Sequence, residues 1–442
     1  MEAIDEKQRK QAQRAWVLYD WANSVFSLVI TSTIFPIYYE AIVQDHVPTV
    51  FGVSVSGSAL FSYTVSLAFL IVALLSPFLT AIADYSGWRK QFMQLFCYLG
   101  SAACMGLFFF KDLDTLYWGL SAFLLGLVGF SGSIVFYNSY LPRIAPEEAY
   151  DRLSARGFAW GYVGSVLLLI ICLLPILKPA WFGNISSSMA SRLSFVLTGL
   201  WWMGFAQITF RGLPNDHSQH PHSKRWILNG LRELQKVVAE IKYQRLLKRF
   251  VVAFFFFTMG LQTIMYVATL FGTNELKLAA DKLIITILIL QLIAVPGAHL
   301  FSFLSSLWGN VRALQLALIV WAGVCVAAYY TYTESQFYGL AAVVGLLMGG
   351  TQALARATYA KLMPDDTDDT ASYFSFYDIS EKLAIVLGTF TYGFIDDLTG
   401  SMRNSALALM CFFLAGFFLL WLIPSRKVYR FSLKDIPTQT PK

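Results

Sequence analysis

Charge is scarce in this chain. Asp, Glu, Lys and Arg make up 14% of its 442 residues against 57% apolar ones, and the mean hydropathy is +0.56. A soluble enzyme or a disordered chain of this length carries far more polar surface, so both are excluded. Cysteine is also scarce: Cys97, Cys104, Cys172, Cys325 and Cys411 all fall in apolar runs without C-x-x-C pairing. That excludes a disulfide framework or a zinc site and leaves helix packing as their role. There is no G-x-x-x-x-G-K-[ST] phosphate loop, no H-E-x-x-H and no G-x-S-x-G, so neither an ATP-driven pump nor a common hydrolase is indicated, and no cofactor or metal is expected.

What the chain does have is long apolar runs. A transmembrane helix needs about 20 mostly apolar residues, and twelve stretches qualify, near 16–43, 57–83, 91–110, 116–140, 155–177, 192–210, 250–273, 283–307, 312–332, 336–359, 373–395 and 404–424. The expectation is an all-α integral membrane protein of twelve spans. Its parts are an N-terminal arm (1–15), a six-helix bundle (16–210), a linker (211–249), a second six-helix bundle (250–424) and a tail (425–442). The first span carries Asp20 and Asn23 and lacks a small-residue cleavage pattern, so it is expected to stay in the mature protein.

Lys and Arg fall unevenly between the spans. Counting from a cytoplasmic N-terminus, 26 lie on that side and six on the other, with Lys382 inside a span. The asymmetry predicts both termini in the cytoplasm of a cell inner membrane, or on the equivalent side of a vacuolar-type organelle. The net charge of +6 is explained by this placement, and no nucleic-acid partner is implied. In the linker, Ile227, Leu231, Leu234, Val238 and Ile241 recur at helical spacing among Arg232, Lys236, Lys242, Arg245, Lys248 and Arg249, which predicts an amphipathic helix on the inner leaflet acting as a strut. His217, His220 and His222 precede it in a loop with proline, where a solvated role is expected.

The two halves repeat each other. Arg143-Ile-Ala-Pro146-Glu-Glu between spans four and five returns 218 residues later as Lys361-Leu-Met-Pro364-Asp-Asp between spans ten and eleven. Asp84-Tyr-Ser-Gly87-Trp-Arg89-Lys90 between spans two and three returns 222 residues later as Ser306-Leu-Trp-Gly309-Asn-Val-Arg312, which keeps the glycine and a basic residue but loses the acid. Parallel six-helix repeats are a transporter architecture.

Thr80-Ala-Ile-Ala-Asp84-Tyr-Ser-Gly87-Trp-Arg89-Lys90 resembles the major facilitator superfamily loop signature G-x-x-x-D-[RK]-x-G-x-[RK]-[RK], with Thr80 and Tyr85 departing from it. Tyr19-Asp20-Trp21-Ala22-Asn23-Ser24, Thr33-Ile-Phe-Pro36, Tyr137-Asn138-Ser139-Tyr140-Leu141-Pro142, Ser154-Ala-Arg-Gly157-Phe-Ala-Trp-Gly161-Tyr-Val-Gly164 and Thr399-Gly-Ser-Met-Arg-Asn404 are similar to the branch of autophagy-related vacuolar amino-acid effluxers and their prokaryotic relatives. The resemblance covers nearly the whole chain. It implies the major facilitator fold, and a cytoplasmic latch formed by Asp84, Gly87, Arg89 and Lys90 that holds the halves together in one state. Gly157, Gly161 and Gly164 place small residues along one side of span five, which favours close helix approach.

Charges inside the membrane point to the working site. Asp378, Glu381 and Lys382 of span eleven lie within about a 100° arc, and three lipid-facing charges would cost about 8–10 kcal/mol at roughly 2.5–3.5 each. That face is expected to line a cavity or meet partners. Asp378 and Lys382 have the favourable spacing for a pair, which leaves Glu381 as the candidate proton carrier, about 12–14 Å deep. Asp20 and Asn23 share a face of span one about 6–10 Å from its end. Gln352 and Arg356 lie one turn apart in span ten, with Arg356 opposite Asn138 in the repeat and serving either as an anion contact or as a snorkelling end residue. Gln262, Gln291 and His299 complete the candidates, each equally able to act as interhelical glue.

The function expected is secondary active transport of a small polar solute, such as an amino acid, by a monomer that uses alternating access and proton coupling. An integral membrane enzyme and a non-transporting sensor on the same scaffold are the alternatives.

Overall fold

The computed structural model describes residues 5–43, 49–50, 53–54, 57–215, 226–364 and 367–424. The His217, His220 and His222 cluster and the tail lie outside the described residues. Span one runs from Glu6 to Val43. It is followed by span two (Gly57–Ser86), three (Arg89–Gly106), four (Leu116–Ser139), five (Tyr150–Leu177) and six (Ser187–Gly212). A linker helix covers Trp226–Tyr243. Spans seven (Arg245–Asn274), eight (Ala280–Trp308), nine (Asn310–Tyr329), ten (Glu334–Leu362), eleven (Thr370–Thr399) and twelve (Met402–Trp421) follow. Helices dominate because a chain in hydrocarbon must satisfy its backbone polar groups within each segment. Two two-residue strands, Thr49–Val50 and Val53–Ser54, pair between spans one and two.

Eleven of these helices have the length and hydropathy to cross a bilayer. Span eleven is long enough but interrupts its apolar run with Asp378, Glu381 and Lys382. Span one begins ten residues before its apolar run, because polar residues from Glu6 onward continue the same helix. Its middle, Phe26–Ile34, is π-helical, with the Thr33 hydroxyl donating to the Leu28 carbonyl at 2.8 Å. Pro36 follows directly. It lacks an N–H and its ring crowds the carbonyl four residues back, a conflict that a widened turn relieves.

The chain divides into two compact units that do not coincide with its halves: Met1–Leu79, Gly87–Tyr137 and Trp160–Ser218 form one, and Thr80–Ser86, Asn138–Ala159 and Gln219–Lys442 the other. In the first unit span six packs on spans one and three, and Phe35 stacks on Phe123 with ring centres 4.2 Å apart. Gly161 and Gly164 let span five approach the backbone of span one, where a Cβ would come within 3.2 Å of the Asp20 carbonyl and 3.0 Å of the Trp21 carbonyl.

In the second unit span seven packs on spans eleven and twelve, span nine on span twelve, and span eight on span ten. The pairs one–six and three–six of the first unit thus recur as seven–twelve and nine–twelve, so the internal repeat is present in the packing. It is present in the turns too: Gly87 has φ +73° and Gly309 φ +84°, a region that disfavours side-chain-bearing residues. This is why the two turn copies retain glycine while much else diverges.

Candidate functional site

Span eleven brings its three charges together inside the second unit. Lys382 Nζ lies 3.2 Å from Asp378 Oδ1 and 3.7 Å from Glu381 Oε2. Gln262 of span seven donates from Nε2 to Glu381 Oε1 at 2.8 Å. The side chains of Asp378 and Lys382 are 3% and 9% exposed, and that of Glu381 is 23% exposed. Glu381 is therefore the most open member, held in place by an amide that carries no charge. Lys382 is shared between both carboxylates and leans toward Asp378, so Glu381 has a distant cation where the sequence left it with none. Span eleven starts at Thr370, three residues before the expected end, which puts Glu381 about 16 Å along the helix. Two carboxylates facing one ammonium leave one negative charge in excess, which a proton or a cationic solute group can neutralise.

Arg356 does not reach for a membrane surface. It is 3% exposed and donates from Nε to Ser154 Oγ at 2.9 Å, from Nη2 to the Ser154 carbonyl at 3.0 Å and from Nη1 to Asn138 Oδ1 at 3.3 Å. Its guanidinium lies over the Phe158 ring at 4.3 Å. Ser154 in turn donates to the Ala353 carbonyl at 2.8 Å. With each nitrogen engaged and one face covered, this Arg joins the end of span four and the start of span five to span ten rather than offering a fork to an anion. Gln352, one turn away, is half-buried.

The last turn of span two meets the first turn of span eleven. Asp84 accepts from the Ala371 amide at 3.2 Å, the Ser372 amide at 2.7 Å and the Ser372 hydroxyl at 2.8 Å. Those amides have no partner inside their own helix, and the N-terminal dipole favours the carboxylate. Of the other motif residues, Gly87 makes the turn and Lys90 donates to the Leu213 carbonyl and Asn215 Oδ1, both at 3.0 Å, at the end of span six. Arg89 is buried.

A second set of contacts was not legible in the sequence. Asp151, in the first turn of span five, accepts from Lys361 Nζ at 2.7 Å, Ser305 Oγ at 2.9 Å and Asn310 Nδ2 at 2.7 Å. Lys361 also donates to Asn310 Oδ1 at 2.9 Å. Ser305 and Asn310 flank Gly309, the repeat of Gly87, so the second turn copy also holds the start of a span across the repeat. The polarity is reversed: in the first copy the acid stands on the span before the turn, and in the second it stands on span five, whose start meets the turn. An isolated acid at a loop end gave no signal for this.

The remaining candidates sit apart. In the first unit, Asp20 accepts from the Tyr137 hydroxyl at 2.7 Å, and Asn23 is 1% exposed with its Nδ2 lacking a partner among the described residues. In the second, Gln291 has a buried Oε1 without a described partner. His299 is exposed and lies 3.0 Å from the Val295 carbonyl of its own helix.

Comparison with known proteins identifies the family. The family model described as "Vacuole effluxer Atg22 like" matches residues 8–430. The uncharacterized MFS-type transporter YxiO of Bacillus subtilis is 33% identical, with 95% of this chain and 96% of that protein covered. Autophagy-related protein 22 of Cryptococcus neoformans is 24% identical, with 90% and 92% covered. Among solved structures, the proton:xylose symporter XylE superposes with a TM-score of 0.71 over 96% of this chain and 98% of that one, at 13% identity, a likeness of fold. Twelve spans in repeated halves, charges buried in span eleven and a family match over nearly the whole length lead to one conclusion: the chain belongs to the Atg22-like family of major facilitator superfamily transporters.

Proposed function

We propose that this transporter moves an amino acid or a similar small amine-bearing solute by alternating access, with Glu381 carrying the coupling proton. The observation that carries this reading is the span-eleven cluster of two carboxylates on one ammonium, with the more open carboxylate held by Gln262. Such a cluster takes either a proton or the ammonium group of a solute, and competition between the two for Glu381 couples their movements. In this reading the contacts of Asp84 and Asp151 are made in one state of the cycle and broken in the other. The protein works as a monomer in a cell membrane, with both termini in the cytoplasm.

Uptake into proteoliposomes tests the substrate class. A panel of labelled amino acids, amines, sugars and carboxylic acids is offered with an inward pH gradient. Accumulation confined to amine-bearing solutes is expected. Accumulation of neutral sugars or simple acids, with amines excluded, contradicts the proposal.

A further inference from the structure

The linker helix turns Val237 and Glu240 inward rather than Val238. Val238, on that stripe, is 38% exposed, whereas Val237 and Glu240 are buried. At 100° per residue, the edge bearing residues 236, 237, 240 and 244 lies roughly 120° around the helix from the 227–241 stripe. The edge with Val237, Glu240 and Gln244 is thus turned inward, while Val238 faces out.

The inward edge meets the start of span eleven. Lys236 Nζ pairs with Asp369 Oδ2 at 3.0 Å. The Tyr373 hydroxyl donates to Glu240 Oε2 at 3.0 Å and accepts from Gln244 Nε2 at 2.7 Å. The Tyr359 hydroxyl of span ten donates to the Tyr373 carbonyl at 2.5 Å. A buried carboxylate on a surface helix needs compensation, and the Tyr373 phenol supplies one hydrogen bond to it. Gln244 is also the one residue between the linker helix and span seven (φ −84°, ψ 84°), so a shift of the linker helix moves the amide that holds Tyr373.

Tyr373 lies one residue beyond Ser372 and two beyond Ala371, whose amides hold Asp84. We infer that Glu240 and Gln244 are positioning residues that, through Tyr373, fix the first turn of span eleven so that its amides capture Asp84. The linker helix is then a lever on the latch rather than a strut between halves. This inference rests on the latch reading above and deepens it.

Spin labels at Gln91→Cys and Arg312→Cys, both exposed starts of spans, report the latch by double electron–electron resonance. Cys411, the exposed native cysteine, is replaced by Ser. Asp84→Asn is expected to move population toward the longer distance. Glu240→Leu and Gln244→Leu should shift the same ratio about threefold to tenfold, as expected for one lost buried hydrogen bond, and should add little on top of Asp84→Asn. Glu240→Gln, whose amide oxygen still accepts from the phenol, should remain near wild type, which a purely volumetric role would not distinguish. Tyr373→Phe removes only the hydroxyl and gives the same reading if Glu240→Leu does not fold. A shift with Asp84→Asn and none with the linker variants or Tyr373→Phe overturns the lever and keeps the latch. No shift with Asp84→Asn overturns the latch and the lever together.

Discussion

Residues whose chemistry conflicts with their surroundings were the easiest to find. Asp378, Glu381 and Lys382 stand out because each breaks an apolar run where a charge is costly, and the structure gathers them with Gln262. Asp151 is the opposite case. An acid beside a polar loop looks like any solvated charge, and its partners come from residues 154, 159 and 210 positions away. Asp151→Asn keeps the shape but leaves Lys361 without its carboxylate. A loss of about 1–3 kcal/mol is expected for the contact set, read as a fall in the thermal midpoint of about 2–4 °C per kcal/mol in detergent, with slower uptake. Wild-type stability and uptake would remove the Asp151 contacts from both roles.

Element boundaries followed hydropathy except where something else took over. Span one extends outward because polar helix formers from Glu6 continue it, and periodicity gave no warning of the π-helical turns before Pro36. The linker helix was visible from its spacing, but which edge it turns inward was not, since the preference for Val237 and Glu240 is set by Tyr373 and Asp369 far along the chain. The placement of Lys and Arg predicts that this helix lies on the cytoplasmic side. A cysteine at the exposed Lys242 should therefore react with an impermeant thiol reagent only after permeabilisation, and one at Trp181, 73% exposed, should react from outside. Labelling in the reverse pattern would invert the orientation.

At the scale of the molecule, two copies of one six-helix plan are legible in the sequence offsets and again in the helix pairings and the two positive-φ glycines. The copies differ in their charges. The acid of the first turn is replaced, in the second, by an acid on span five, and the buried ionic cluster belongs to span eleven. That asymmetry is the ground for the proposal that the working chemistry lies in the second copy, with Glu381 as proton carrier. The direct test is solute-driven proton movement. Proteoliposomes loaded with a pH-sensitive dye are challenged with the amine-bearing solute that the panel identifies. The wild type should acidify or alkalinise the lumen in proportion to solute moved, and Glu381→Gln should exchange solute with no proton flux. Equal proton flux in wild type and Glu381→Gln would contradict the assignment of the coupling proton to Glu381.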